Sequence, residues 1–313
     1  MNPAEYERIL VIKLGALGDA VQALGPLKAI RQAHPNAKIT LLTAPAYAGF
    51  FENCPFVDQV WRDTRPHKLN LIGMLTLRSM LRAGRFQRVY DLQTSSRSSL
   101  YHKLIGPGRR PEWSGIAPGA SHPHANPLRD TMHTIDRQRD QLAMAGIADV
   151  PAPDLSWLDA DIAKFKLPDP FVLLVPGGAP TRPKKRWPIA KYAALAQELA
   201  AHNANPVVIG GKGEADLGKA IRTASSRARD LTGQTSFAEI VAIARKAGAA
   251  IGNDTGPMHL IAGAGCPSIV LFGSDSDPAL CAPRGREVAV LRRDSLEGLG
   301  VDEVMRLLFK RAA

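Results

Sequence analysis

Cysteine is scarce in this 313-residue chain. Cys54, Cys266 and Cys281 are odd in number and far apart. They form neither a disulfide framework nor a metal-ligand spacing, and a reducing compartment suits them. Aromatic residues make up only 6%. No aromatic-rich RNA-binding strand and no zinc-finger spacing accompanies the basic residues, so nucleic acid is not expected as a partner. No Gly-x-Gly-x-x-Gly follows the first apolar run, and the Gly-Lys-Ser/Thr of a P-loop is missing there too. Unbroken apolar runs are also lacking. Thr255 to Ser274 carries no charged residue and is long enough to suggest a membrane span. Pro257, Gly263, Gly265, Pro267 and Gly273 interrupt it, so it reads as a short helix, a turn and a buried strand. The stretch Met1 to Glu7 is acidic and has no signal-peptide plan, which points to a cytoplasmic protein.

What is present is an apolar content of 45%, a charged content of 22% and a formal charge of +11, a globular and basic profile. The length allows two domains. The charge is uneven. Residues 61–110 hold eleven Lys or Arg against two acids, Asp63 and Asp91. Such a face suits an anionic partner, a phosphorylated substrate or an acidic membrane surface. Solvated arginines are the plain alternative.

Ile9 to Ile12 reads as a buried strand, followed by the Gly-punctuated turn Gly15 to Asp19 and a helical pattern from Ala20 to about Ala33. Lys38 to Thr43 completes a βαβ unit. Arg88 to Leu92 is another strand between basic helical segments. Residues 105–130, rich in Pro, Gly and His, read as a loop. Pro151 to Asp154 marks a linker. A second α/β series follows: strands at Phe171–Val175, Pro206–Gly211, Ala249–Ile251 and Ser268–Phe272. Helices alternate with them at Ile189–His202, Ala215–Ser225 and Phe237–Lys246, and a last amphipathic helix runs from Glu303 to Lys310. The expectation is α/β: two Rossmann-like halves facing one another across a central cleft. The domains are 1–155 and 156–295, with a C-terminal helix, 296–313, that could pack back toward the first.

Ligands of open parallel sheets bind beyond the carboxyl ends of strands, and polar clusters fall at such ends. Asp19, at a helix start, is either a plain cap or a general base. Pro176 to Pro188 offers two glycines, the Thr181 hydroxyl and the basic Lys184-Lys185-Arg186 for phosphate oxygens. Glu214, after Gly210-Gly211, is a first-turn helix carboxylate or a ribose contact. Gly252-Asn253-Asp254-Thr255-Gly256-Pro257-Met258-His259 joins a strand to a helix. Asp254 or Thr255 can cap that helix, Pro257 suits its first turn, and its N–H groups and dipole favour an anion. Asp275-Ser276-Asp277 resembles a metal-binding pair, but Asp277-Pro278 reads better as a turn. A base in one half and a diphosphate cradle in the other suit a nucleotide-sugar transferase.

The motifs Ile12-Lys13 to Gly18-Asp19, Lys185-Arg186-Trp187-Pro188 and Asp254 to His259 resemble those of glycosyltransferase family 9, the ADP-heptose:lipopolysaccharide heptosyltransferases. The resemblance covers nearly the whole chain. It implies a GT-B fold, an inverting mechanism, an ADP-heptose or related donor, no cofactor and no metal. By the resemblance, Asp19 is the catalytic base and Lys185 faces the donor diphosphate. Thr181, Glu214, Asp254, Thr255, Gly256 and His259 then contact the donor. The acceptor is a lipid A-core type anionic glycolipid, met at the inner face of the cytoplasmic membrane. Two features depart from the family pattern: Gly15-Ala16-Leu17 replaces small hydroxyl residues, and Pro180 stands where a second threonine is usual. Rival readings are a GT-B-like nucleotide-sugar epimerase and a non-catalytic nucleotide-sugar-binding protein.

Overall fold

A computed structural model describes residues 7–106, 108 and 110–312. Residues 1–6 of the stretch read for a leader, and Arg109 of the basic stretch, lie outside the described residues. The chain divides into two compact units, Met1–Trp157 and Leu158–Ala313.

The first unit is built on a six-stranded sheet. Its strands are β1 (Arg8–Ile12), β2 (Lys38–Thr43), β3 (Gln59–Arg62), β4 (Arg88–Asp91), β5 (Glu112–Gly115) and β6 (His122–Pro123), in the order β3-β2-β1-β4-β5-β6. Every pairing is parallel, which requires crossover connections. These are α1 (Leu17–Gln22), α2 (Leu24–Ala33), α3 (Pro45–Phe51), α4 (Leu71–Ala83) and α5 (Ser96–Ile105), with α6 (Thr134–Met144) following the last strand. Burial on both faces explains why β1 and β2 read as continuous apolar runs.

Two sequence expectations change here. The single helix from Ala20 to Ala33 is two helices that meet at Ala23. Pro26 has no N–H to give to the Gln22 carbonyl, so α1 cannot run on unbroken. The loop at 105–130 contains the short strands β5 and β6. Each is too brief to show alternation, and both are stabilised by sheet pairing that begins at β4.

The second unit repeats the plan. Its strands are β7 (Phe171–Val175), β8 (Asn205–Val208), β9 (Arg229–Asp230), β10 (Ala249–Asn253), β11 (Ser268–Phe272) and β12 (Val288–Arg292), in the order β12-β11-β10-β7-β8-β9, again all parallel. Its helices are α7 (Ile189–Ala201), α8 (Ala215–Ala224), α9 (Phe237–Lys246), α10 (Gly256–Gly263), α11 (Pro278–Cys281) and α12 (Val301–Ala312). The uncharged run from Thr255 to Ser274 resolves into α10, a turn and β11. Among the described residues no helix is long and apolar enough to cross a membrane. The final helix joins the core of this unit: Val304 and Met305 are buried with Trp187, Tyr192 and Leu199.

In both sheets the strand order reverses beside the unit's first strand, between β1 and β4 and between β7 and β10. The crevice at the carboxyl end of such a switch point is where open α/β sheets hold ligands.

Candidate active site

At the switch point of the first unit the chain leaves β1 at Lys13. The backbone N–H of Lys13 continues the ladder to the Leu42 carbonyl at 3.0 Å. Its side chain turns inward, donates to the Leu92 carbonyl at 3.2 Å and lies 3.7 Å from Asp19 Oδ1. Burial pushes the Lys13 ammonium below its ordinary range, and Asp19 opposes that shift. Asp19 is the third residue of α1, and its Oδ2 accepts the Ala16 N–H at 3.0 Å. The carboxylate therefore holds its own helix start, as a plain cap would. It also stays 40% exposed, while the Lys13 side chain is 4% exposed. The group presented to solvent is the carboxylate.

Asp91, at the end of β4, is buried beside this pair. The Gln93 and Thr94 N–H groups donate to its Oδ1 at 3.1 and 3.0 Å. Burial nevertheless pushes its carboxyl up to about 6. A pocket of about 650 Å³ opens next to Asp19's loop, lined among others by Gly15, Tyr47, Asp63, Arg65 and Arg97. Gly15 has φ +117°, and a Cβ there would run into the Tyr47 ring, so only glycine serves. The two arginines are pinned. Arg65 donates to the Leu14 carbonyl at 2.5 Å, and Arg97 to the Tyr101 hydroxyl at 2.8 Å. Buried Asp63 accepts from the Tyr101 hydroxyl and lies 3.8 Å from Arg97.

In the second unit the loop from Pro176 to Pro188 is tied down at both ends. Buried Asn253, the last residue of β10, accepts from the Trp187 N–H at 3.0 Å and the Tyr192 hydroxyl at 3.1 Å. Its amide donates to the Pro176 and Gly177 carbonyls at 2.8 and 2.9 Å. Trp187 is buried, donates its indole N–H to the Leu299 carbonyl at 3.0 Å and meets Tyr192 edge-on. Arg186 donates to the Gly178 carbonyl. These bonds hold Lys185 against the strand ends, where its Nζ meets Asp254 Oδ2 at 2.5 Å.

Thr255 takes the N-cap position of α10 with extended backbone (φ −144°, ψ 162°), but no side chain caps the helix. Neither Asp254 nor Thr255 supplies the bond that their residue types suggest. Asp254 is drawn to Lys185 instead, and the Thr255 hydroxyl is buried without a hydrogen-bond partner among the described residues. Such a group costs free energy unless something satisfies it. A helix start without a side-chain cap, with an orphaned hydroxyl and the Lys185–Asp254 ion pair beside it, has the chemistry that suits an anion. His259 lies buried one turn along α10.

Glu214 stands elsewhere in the unit and is occupied: Oε1 accepts the Gly178 N–H at 2.9 Å and Oε2 the Gly211 N–H at 2.7 Å. It ties the loop after β7 to the loop after β8, and a Cβ at Gly177 would collide with it. Thr181 is exposed on the Ala179–Arg182 turn, and its side chain makes no hydrogen bond among the described residues. The structure thus brings Lys185, Asp254, Thr255 and Gly256 together, with Glu214 bracing the adjoining loop. Asp277 caps α11 through the Ala279 N–H at 3.0 Å and pairs with Arg292, as a turn residue should. Among the described residues no group of three or more His, Cys, Asp or Glu could hold a metal ion. Burial pushes the Cys54 and Cys266 thiols up to about 12, which leaves them inert.

Sequence reading passes over two organising residues. Asn253 is legible only as a polar side chain ending an apolar strand. Asp91 is legible only as an acid within a basic stretch, and nothing in the sequence pairs it with Lys13.

The glycosyltransferase family 9 (heptosyltransferase) model matches residues 74–299, most of the chain. The chain belongs to glycosyltransferase family 9. It is therefore a glycosyltransferase. Among family 9 relatives, lipopolysaccharide heptosyltransferase 2 of Escherichia coli strain K12 is 26% identical, over 91% of this chain and 88% of that protein. Solved structures extend the likeness to the fold. A family 9 glycosyl transferase from Veillonella parvula superposes with TM-score 0.81 at 21% identity, covering 97% of this chain and 98% of that one. The E. coli heptosyltransferase WaaC with ADP gives TM-score 0.75 at 20% identity, covering 97% and 99%. With two Rossmann-like units, this family 9 chain has the GT-B fold.

Proposed function

We propose that the protein transfers a heptose from ADP-heptose to an anionic acceptor of the lipopolysaccharide core, with inversion at the anomeric carbon. The observation that carries the donor assignment is the start of α10, where an uncapped helix, an unpartnered Thr255 hydroxyl and Lys185 converge. Curated relatives named as lipopolysaccharide heptosyltransferases and a neighbour solved with ADP support the choice of sugar and nucleotide.

In this reading Asp19 accepts the proton of the attacking acceptor hydroxyl. The acceptor oxygen forms its bond to the anomeric carbon as the bond to the diphosphate oxygen breaks on the opposite face. Charge grows on the leaving diphosphate. Lys185, the Thr255 hydroxyl and the first N–H groups of α10 stabilise that charge, and stabilisation that strengthens in the transition state is what accelerates the step. Thr181, Glu214 and His259 complete the donor side. Arg65 and Arg97 in the first unit's pocket suit phosphate or carboxylate groups of the acceptor. The acceptor is a glycolipid, so the protein works at the surface of a membrane.

The test is incubation of the purified protein with ADP-heptose and a core acceptor, followed by NMR assignment of the product anomer. An inverted glycoside is expected. A retained anomer, or binding of UDP-sugars in preference to ADP-heptose, overturns the reading. Conversion of the donor alone to an epimer would replace it with isomerase chemistry.

A further inference from the structure

The most exposed large apolar side chains among the described residues are not scattered. Leu69, Ile72 and Leu71 are 83%, 81% and 72% exposed, and Leu75 stands beside them at 62%. They occupy the start of α4 and the residue before its cap, Asn70, which accepts the Gly73 N–H at 2.9 Å. The opposite face of α4, Leu77 and Leu81, is buried in the first unit's core. On a helix, residues 71, 75, 78 and 82 form one stripe. This stripe starts as Leu71 and Leu75 and continues as Arg78 and Arg82. Lys68, just before the tip, and Arg78, one turn beyond Leu75, are exposed. No acid occurs from residue 64 to residue 90, and the flanking Asp63 and Asp91 are buried. The patch is apolar at its point, and the charged side chains on its own segment are all basic.

We infer that the tip formed by Leu69, Leu71, Ile72 and Leu75 inserts into an anionic lipid surface, with Lys68 and Arg78 on the headgroups. Insertion of a few apolar side chains backed by basic residues is the usual physics of interfacial binding, and each half alone is weak. Charge decides against a second copy of the chain as occupant, because two such patches would bring cations against cations. The tip is also continuous with the first unit's pocket. Thr64 and Arg65 line that pocket, and Pro66, the next residue, is held by Arg97 at 3.0 Å and lies against Gly73 of α4. A lipid-anchored acceptor would therefore be met where its headgroup leaves the bilayer. This inference rests on the glycolipid acceptor proposed above.

The test is partition of the protein onto phosphatidylcholine vesicles with and without phosphatidylglycerol, at low and high salt. Partition onto the anionic vesicles is expected, weakened by salt. The double variant Leu71→Gln/Ile72→Gln, whose changes are solvent-exposed, should lose about tenfold or more of that partition. An Ile72→Trp variant should show quenching by brominated lipid above that of the wild type. Equal partition of wild type and double variant, or no added quenching, overturns the inference. So does a lipid-free dimer that the double variant abolishes. Binding of ADP is measured in parallel. Its absence from the wild type counts against the donor reading and not the membrane tip, and its retention in the double variant shows that the fold is intact.

Discussion

Each unit places a lysine–aspartate pair at its switch point, and the two pairs are presented in opposite senses. In the first unit Lys13 is sealed in and Asp19 is open, at 4% and 40% side-chain exposure. In the second, Asp254 is the more covered partner at 5%, and Lys185, at 12%, is the more open. One fold with one strand order thus offers a carboxylate in one half and an ammonium in the other. The cause is local. Lys13 continues β1, so its side chain falls between sheet and helix, whereas Lys185 arrives from a loop beyond the sheet. Asp19 sits on the first turn of a helix, whereas Asp254 directly follows a buried strand. The open carboxylate suits the proton removal proposed for it, and the less covered ammonium suits the leaving diphosphate proposed for it.

The sharpest way to break this comparison is to remove the outward group on each side. Asp19→Asn should cut turnover by about two orders of magnitude or more while the ADP dissociation constant, measured by calorimetry, changes little. Lys185→Ala should weaken ADP binding and turnover together, each by about tenfold or more. If the two variants gave the same pattern, the division of labour would fail.

A smaller effect tests what holds the second pair in place. Asn253→Ala leaves the Trp187 N–H and two carbonyls without partners, at a cost of about 2–3 kcal/mol in denaturant unfolding. ADP affinity should fall with it, because the Lys185 loop is no longer pinned. Unchanged affinity would show that the loop is held by Trp187 packing alone.

The smallest effect concerns the first pair's buried neighbour. The Asp91 carboxyl is raised from about 4 to about 6, so the folded state holds a proton that the unfolded chain has released. Stability should therefore fall as pH rises from about 4 to about 6 and stay lowered above that. The burial cost amounts to at most about 3 kcal/mol. Asp91→Asn, which keeps an acceptor for the Gln93 and Thr94 N–H groups, should flatten this slope. Melting curves of both proteins across that range would show it, and parallel curves would dismiss it.

Several elements were readable because the physics behind them is local. Apolar runs marked β1, β7 and β11, since parallel strands are buried on both faces. Pro257 and the glycines around it correctly divided the uncharged run from Thr255 to Ser274. Other elements were hidden because their cause lies elsewhere in the chain. β5, β6 and β9 exist through pairing with strands already in place, and their own residues show no period. Thr255 has the composition of a cap, yet Lys185 draws the neighbouring Asp254 aside and the hydroxyl is left alone. Glu214 read equally well as a ribose contact or a first-turn carboxylate, and its two backbone bonds fill much of its capacity.

By itself the sequence determined the α/β alternation, the family and the residue types at the strand ends, because these depend on local pattern and motif order. The tertiary structure alone decided which charged partner of each pair faces outward. It also decided that Asn253 and Asp91 matter, and that the apolar residues opening α4 stay uncovered. Burial and pairing across distant segments set these outcomes. A side chain's environment in the first unit is fixed by strands tens of residues away, and no spacing within one segment carries that information.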